Sequence, residues 1–167
     1  MQRHILTLLA ILILVALTSG FNQRPIGPRG EALDAFLETL PGPILLGEKS
    51  SRSFVFINAA DHPHLLVEFA RRIGLPEDLM AQVFELPDQG SVPTGLTNAI
   101  LVSEERLFEP ADRTLMAITP IALNGDRTEA LFGTIYDVPN ETRLAIVVVW
   151  MKLLDGEWVV HKTARMA

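Results

Sequence analysis

The chain has 167 residues, of which 49% are apolar and 20% are charged, so it can bury a sizeable core and is not disordered. Its 14 Lys and Arg against 20 Asp and Glu give a formal net charge of −6, and its basic residues are scattered, which argues against nucleic acid as a partner. It has no cysteine, so its stability must come from packing and not from disulfides.

The first notable feature is the apolar run "ILTLLAILILVAL" at residues 5–17, which contains one polar residue, Thr7, and follows Arg3. It has the length of the apolar part of a secretory signal and is shorter than the roughly 20 residues that a membrane span prefers. The small residues that follow allow cleavage after Thr18 or after Gly20. An uncleaved anchor is the alternative.

Residues 1–20 are therefore predicted to be a signal peptide or an N-terminal anchor. The body of the protein is then periplasmic or secreted, or it is held at the inner membrane of a bacterium. In the second case we expect membrane contact only through residues 5–21. Residues 21–30 hold two prolines and two glycines and are predicted to be a linker, so residues 31–167 form a single α+β domain.

The first half of this domain reads mainly as helices. Apolar residues spaced by three and four predict a helix over 31–40, which ends at the "PGP" of 41–43. The β-branched and aromatic run at 53–57 predicts a strand, paired with a second strand at 44–46.

The stretch "NAADHPHLL" at residues 58–66 contains two of the four histidines. We interpret it as the start of a second helix, with Asp61 or His62 as its cap, Pro63 in its first turn and Gly74 at its end. A third helix follows from Pro76.

A metal site is the alternative for this stretch. In a helix, His62 and His64 would point to different sides, and a third ligand would have to come from His161, so we predict no metal.

The second half reads as strands. "AILVS" at 99–103 is short, and the stronger strands are "TLMAITPIAL", "EALFGTIYD", "TRLAIVVVWMKLL" and "EWVVHKTAR", with turns at "NGD", "VPNE" and "DG" between them. The fold class is therefore α+β, with N-terminal helices packed on a C-terminal antiparallel, mainly four-stranded meander. Gly133 and Pro120 mark bulges, close approaches or edges.

His161 is the candidate catalytic residue, because its side chain titrates near neutral pH and a tight turn at 155–156 would set it beside Trp150. Strict alternation along the last strand places His161 on one face with Val159 and Thr163. Asp137 is the candidate acidic partner. The alternative is a half-buried histidine with no chemical role.

A ligand pocket is predicted from the large side chains on the same strands. Its residues are Trp150, Phe132, Tyr136 and Met151.

Residues 127–166, "RTEALFGTIYDVPNETRLAIVVVWMKLLDGEWVVHKTARM", resemble the closing hairpins of the nuclear transport factor 2-like superfamily. That resemblance covers about a quarter of the chain. It implies a cone-shaped α+β fold with a pocket between a curved sheet and its helices, and it carries over only the type of position that His161 occupies. Such folds include isomerases, dehydratases and cyclases, and also non-enzymatic periplasmic modules, so the fold alone does not select a function.

No nucleophile elbow, phosphate-binding loop or cofactor motif is found, and we predict no cofactor. We expect a non-enzymatic exported or membrane-tethered bacterial domain that binds a protein partner or a small apolar ligand, with a homodimer left open. The alternative is a cavity enzyme of isomerase or dehydratase type that uses His161 as general acid or base.

Overall fold

The computed structural model describes residues 26–56, 61–108, 112–137 and 145–166. The predicted signal or anchor and residues 21–25 of the predicted linker lie outside these residues. Within them the fold is α+β, with four α-helices and a large, mainly antiparallel sheet. None of the helices in this part of the chain is long and apolar enough to span a bilayer.

Four α-helices and one 3-10 helix are described. They are α1 (Gly27–Glu38), α2 (Arg52–Val55), α3 (Pro63–Ile73), α4 (Glu77–Glu85) and the 3-10 helix Glu104–Phe108.

Nine strands in the described residues form two sheets. They are β1 (Ile44–Gly47), β2 (Lys49–Ser50), β3 (Gly90–Ser91), β4 (Ala99–Val102), β5 (Leu115–Ile118), β6 (Ala122–Leu123), β7 (Glu129–Asp137), β8 (Ala145–Leu154) and β9 (Glu157–Met166). The large sheet has the order β4-β1-β5-β7-β8-β9, with β6 also paired to β7, and β2 pairs with β3 in a small ribbon.

The predicted antiparallel strands are present as β5, β7, β8 and β9, each paired with the next. The first of them is interrupted at Pro120, and its continuation β6 pairs separately with β7. The sheet is wider than the predicted four strands, because β1 joins the edge of β5 in parallel and β4 joins β1 in parallel. Both additions come from short segments whose partners lie far away in sequence.

The predicted strand at 53–57 is wrong for its described part, because residues 52–55 form helix α2. Ser51 caps this helix by accepting a hydrogen bond from the amide of Ser53. The Asp88 carboxylate accepts a second bond from the amide of Arg52. These caps satisfy the first amides of the helix and override the strand propensity of the sequence.

Arg52 joins α2 to the end of α4. Its guanidinium donates to the backbone carbonyls of Val83, Phe84 and Leu86 and to the Asp88 carboxylate. These carbonyls lie at the C-terminal end of α4, where no amide of the helix can reach them. The ion pair of Arg52 and Asp88 thus connects the N-terminal end of α2 to the C-terminal end of α4.

Helix α1 begins at Gly27, within the predicted linker and four residues before Glu31, with Pro28 in its first turn. It buries Leu33, Phe36 and Leu37 against the sheet, as the apolar spacing predicts. Asn98 donates to the carbonyls of Leu37 and Leu40 and so satisfies groups at the end of the helix.

The segment at 61–66 does start a helix. His62 occupies the cap position without a side-chain hydrogen bond, and Pro63 is the first helical residue of α3. The helix ends at Gly74, whose φ of 70° is the left-handed conformation that glycine adopts at little cost. Pro76, the predicted first residue of the third helix, is instead its cap residue, and α4 begins one position later at Glu77.

Arg71 and Glu77 connect α3 to α4 on the surface, with two hydrogen bonds of 2.8 and 2.7 Å. The hydrogen bond from Arg71 lowers the pKa of the Glu77 carboxyl, and partial desolvation opposes it. Since the folded-state pKa is lowered, the contribution to stability is full above the unfolded pKa and is lost as the pH falls through the folded pKa. Both groups are exposed, so the pair contributes little.

Strand β8 separates two buried clusters. On one face Val147, Val149 and Met151 pack against α1, and we call this the α1 face. On the other face Val148, with Trp150 beside it, packs against α2, α3 and α4, and we call this the three-helix face. The apolar character of both faces of this strand, evident in the sequence, is explained by helices on each side.

Gly133 is a site of close approach on the three-helix face. An added Cβ would lie 2.6 Å from the ring of Phe56 and 3.0 Å from a methyl group of Val55. We expect Gly133→Ala to lower the free energy of unfolding by about 1–3 kcal/mol, because α2 must move away from the sheet. Denaturant unfolding measures this. Gly125→Ala, where nothing lies within 4 Å, is the control and should change stability by less than about 0.5 kcal/mol.

Arg52 gives a second prediction. Arg52→Met keeps the aliphatic stem and removes the donors, so we expect a loss of about 2 kcal/mol of unfolding free energy, since hydrogen bonds from a charged group to partly buried acceptors are disrupted. Arg72→Met, on the exposed side of α3, should have almost no effect in the same denaturant experiment. Equal effects of the two substitutions would contradict the role given to Arg52.

Candidate functional site

The candidate site is a groove between the C-terminal end of α1 and the α1 face of the sheet, which we call the α1 groove. Its volume is about 430 Å³. This volume lies within the range of roughly 300–1,000 Å³ typical of small-molecule sites. The groove is lined by Phe36, Thr39, Leu40, Tyr136, Val147, Val160, Thr163 and Arg165.

The groove exists because α1 is shorter than the strands below it. The helix ends at Glu38, and the "PGP" of 41–43 prevents another turn, since proline lacks an amide and clashes with the preceding turn. Strand β8 continues to Ala145 and its partner β9 to Met166. The ends of these strands therefore extend past the helix that covers their middle.

The chemistry of the groove is apolar with a polar rim. The lining includes the aliphatic and aromatic side chains of Phe36, Leu40, Val147 and Val160. Thr39 uses its hydroxyl to donate to the carbonyl of Phe36. No described lining residue is a histidine or a carboxylate. The site thus offers apolar contact and hydrogen-bond donors, and it lacks an acid/base pair.

Arg165 is the one charged residue among the described lining residues. It is exposed at its position on β9, and no ion pair or hydrogen bond of its side chain is found within the described ranges of the chain. A guanidinium can bind an anionic group through paired hydrogen bonds, and this one lies beside an apolar surface in a protein of net charge −6.

The predicted pocket residues are divided between the two faces of the sheet. Tyr136 lines the α1 groove. Phe132 and Met151 are fully buried in the core under α1, where Phe132 packs edge to face on Phe36 with ring centroids 5.5 Å apart. Trp150 is on the three-helix face. One of the four predicted residues therefore reaches the groove.

Trp150 and His161 do come together, as the turn at 155–156 predicted, with ring centroids 4.4 Å apart. The indole N–H of Trp150 donates to Glu129, and the ammonium of Lys152 lies 4.5 Å from the centroid of the Trp150 ring. His161 itself is exposed. This group lies outside the α1 groove. His161 is exposed to solvent, whereas the catalytic hypothesis needs it inside a cavity.

The backbone of Asp137 lies far from His161 along the sheet. The backbone of Asp137 pairs with Leu115 at one end of β7, whereas the Trp150 that touches His161 pairs with Leu131. Six residues of strand between Leu131 and Asp137 correspond to about 20 Å. The backbones of the two candidate catalytic residues are therefore not neighbours in the sheet, and the strand pairing gives no support to direct proton transfer between them.

The ring centroids of His62 and His64 are 5.9 Å apart. The two rings are thus close together, although we predicted that they point to different sides of a helix. The reason is that His62 is a cap residue with φ −128° and ψ 60°, outside the helix. His161 is not near them, because its neighbour Lys162 contacts the opposite end of α3, at Ile73. Among the described residues no three or more His, Asp or Glu side chains are grouped as metal ligands.

Alternation along β9 is broken at His161, and this determines which residues reach the groove. Met151 pairs with Val160 and Trp150 with Lys162, so His161 is the extra residue of a β-bulge. Val160, Thr163 and Arg165 therefore share the α1 face, although strict alternation assigns Val160 to the other face. Sequence reasoning missed Thr163 and Arg165 for this reason.

A second pocket of about 200 Å³ lies where the sheet is interrupted at Pro120. Its polar groups serve the fold. Arg29 donates to the carbonyl of Ile121, Ser50 donates to Gly90, and Thr119 donates to Pro120. The α1 groove is larger and contains a cation without a described partner, so it is the stronger candidate.

Comparison with known proteins does not add a functional assignment. No family model, curated protein or solved structure matches the chain. The inference of function therefore depends on the geometry of the α1 groove and on the sequence.

Proposed function

We propose that this protein is a non-enzymatic binding domain of a bacterium, exported or tethered to the membrane, that holds a small apolar ligand in the α1 groove. The observation that carries this proposal is the groove itself. Its volume of about 430 Å³ and its apolar lining suit a small molecule, and a few polar groups at the rim would orient it.

The choice of binding over catalysis follows from the placement of the titratable groups. His161 is exposed on the three-helix face, and its candidate partner Asp137 is remote from it in the sheet. General acid or base catalysis needs a group within hydrogen-bond reach of the bound molecule. The lining of the α1 groove supports recognition and gives no support to proton transfer.

The resemblance to the nuclear transport factor 2-like superfamily is part of the proposal. The residues that carry it, 127–166, include β7, β8 and β9, and these strands contribute most of the sheet residues of the groove. A pocket between a sheet and a covering helix is what that resemblance implies. The parallel pair of β1 with β4 and β5 lies outside the resembling segment.

A protein partner is the second candidate. Leu154 and Val159 are 52% and 37% exposed at the hairpin between β8 and β9, away from the groove. Exposed apolar side chains offer a contact surface, but scattered single residues are normal on proteins. A homodimer formed through the edge strand β9 is opposed by the bulge at His161, which interrupts regular pairing along that edge.

Filling the α1 groove tests the binding proposal. Thr163→Trp places a large ring at an exposed position of the lining, so we expect the affinity for the neutral apolar fluorophore N-phenyl-1-naphthylamine to fall at least about tenfold. The fluorescence increase of the dye on binding measures this in a titration of the purified domain.

Val159→Trp is the matched control, because Val159 is also exposed on β9 but lies outside the described lining of the groove. It should leave the affinity for the dye unchanged. Failure of the unaltered protein to bind the dye, or equal losses in both variants, would contradict the proposed site.

Export gives a separate prediction. When the full chain is produced in a Gram-negative bacterium, we expect fractionation to recover it from the periplasm, the medium or the inner membrane. The intact mass distinguishes the alternatives, since cleavage after Thr18 or Gly20 removes the apolar run and an anchor retains it. Recovery of full-length protein in the cytoplasm would refute export.

A further inference from the structure

We infer that the ligand of the α1 groove is a soluble amphiphile with a single carboxylate head and a medium-length apolar chain, whose head group is bound by Arg165. This inference rests on the proposed function and narrows it to one chemical class. Its basis is the combination of an apolar surface with one cation among the described lining residues of the groove.

The charge of the groove selects an anion. Arg165 is the only charged side chain among its described lining residues, and within the described parts of the chain it has no ion-pair or hydrogen-bond partner. A guanidinium binds a carboxylate through two parallel hydrogen bonds, which gives direction as well as affinity. Tyr136 and Thr163 add neutral hydroxyl groups to the lining.

The shape of the groove selects a chain. Val160 and Arg165 lie on β9 five residues apart, which at about 3.3 Å per residue separates them by no more than roughly 17 Å, since the bulge at His161 shortens the span. Phe36, Leu40 and Val147 line the groove along with Val160. An extended chain with its head at Arg165 would therefore place its tail on the apolar residues, toward Val160.

The neutral and cationic versions of the same chain fit less well. A neutral head group would leave the guanidinium without a counter-charge, and a cationic head group would be repelled by it. Because Arg165 is exposed to water, the charge preference should be moderate.

The experiment compares three molecules of equal chain length, below their micelle concentrations. They are decanoate, decanol and decyltrimethylammonium, each used to displace N-phenyl-1-naphthylamine from the full-length or mature protein. We expect decanoate to bind about tenfold more tightly than decanol at neutral pH, and decyltrimethylammonium to bind most weakly. Added salt should reduce the advantage of decanoate and leave decanol unchanged.

Two variants at Arg165 make the test specific. Arg165→Gln should weaken decanoate to the affinity of decanol, and Arg165→Lys should keep part of the preference, since lysine retains the charge without the paired donors. Arg127→Gln, in an exposed turn, is the control and should behave as the unaltered protein. Circular dichroism verifies that each variant is folded.

The outcomes separate this inference from the proposed function. Equal binding of all three molecules, or a decanoate preference that survives Arg165→Gln, overturns the inference and leaves an apolar binding site in place. Tighter binding of the cationic molecule overturns it as well. If the dye itself does not bind to the unaltered protein, the proposed function is contradicted, and so is the inference that Arg165 binds a carboxylate head group.

Discussion

The fold depends on the burial of strand β8 on both of its faces. Val147, Val149 and Met151 pack under α1, and Val148 packs under the other helices. A strand of this kind must have a cover on each side, since a single exposed face would leave a large apolar surface in water. The helices are thus arranged around the sheet by the need to cover β8, and the α1 groove lies where the cover on one side ends.

The bulge at His161 gives the neighbouring strand two different alignments. Before it, Val160 faces α1, and after it Thr163 and Arg165 face the same side, while Lys162 turns to the end of α3 and donates to the carbonyl of Ile73. Because of this one extra residue, Lys162 lies at the C-terminal end of α3 and Arg165 lies at the α1 groove. His161 is the extra residue of this bulge, and its ring packs on Trp150.

The sequence predicted the elements whose signals are local. The apolar spacing of α1 and α3, the glycine at 74 and the turn at 155–156 each specify their own structure. The parallel pairs of β1 were not predictable, because they join segments more than 50 residues apart through four-residue strands. Helix α2 was missed because its caps include Asp88, which is 36 residues away. The groove was missed in part, since Tyr136 was named but the shift of faces at His161 hid Arg165.

The C-terminal end of α1 borders a groove that is lined mainly by apolar side chains. The "PGP" at 41–43 prevents a further turn of helix after Glu38, and the half-buried Tyr136 lines the groove beside the helix end. Asn98 donates to the carbonyl of Leu37 in the last turn of α1 and to that of Leu40 just beyond it, which stabilises the helix end. Helix α1 therefore stops over the α1 groove, whose described lining combines apolar side chains with one guanidinium, that of Arg165.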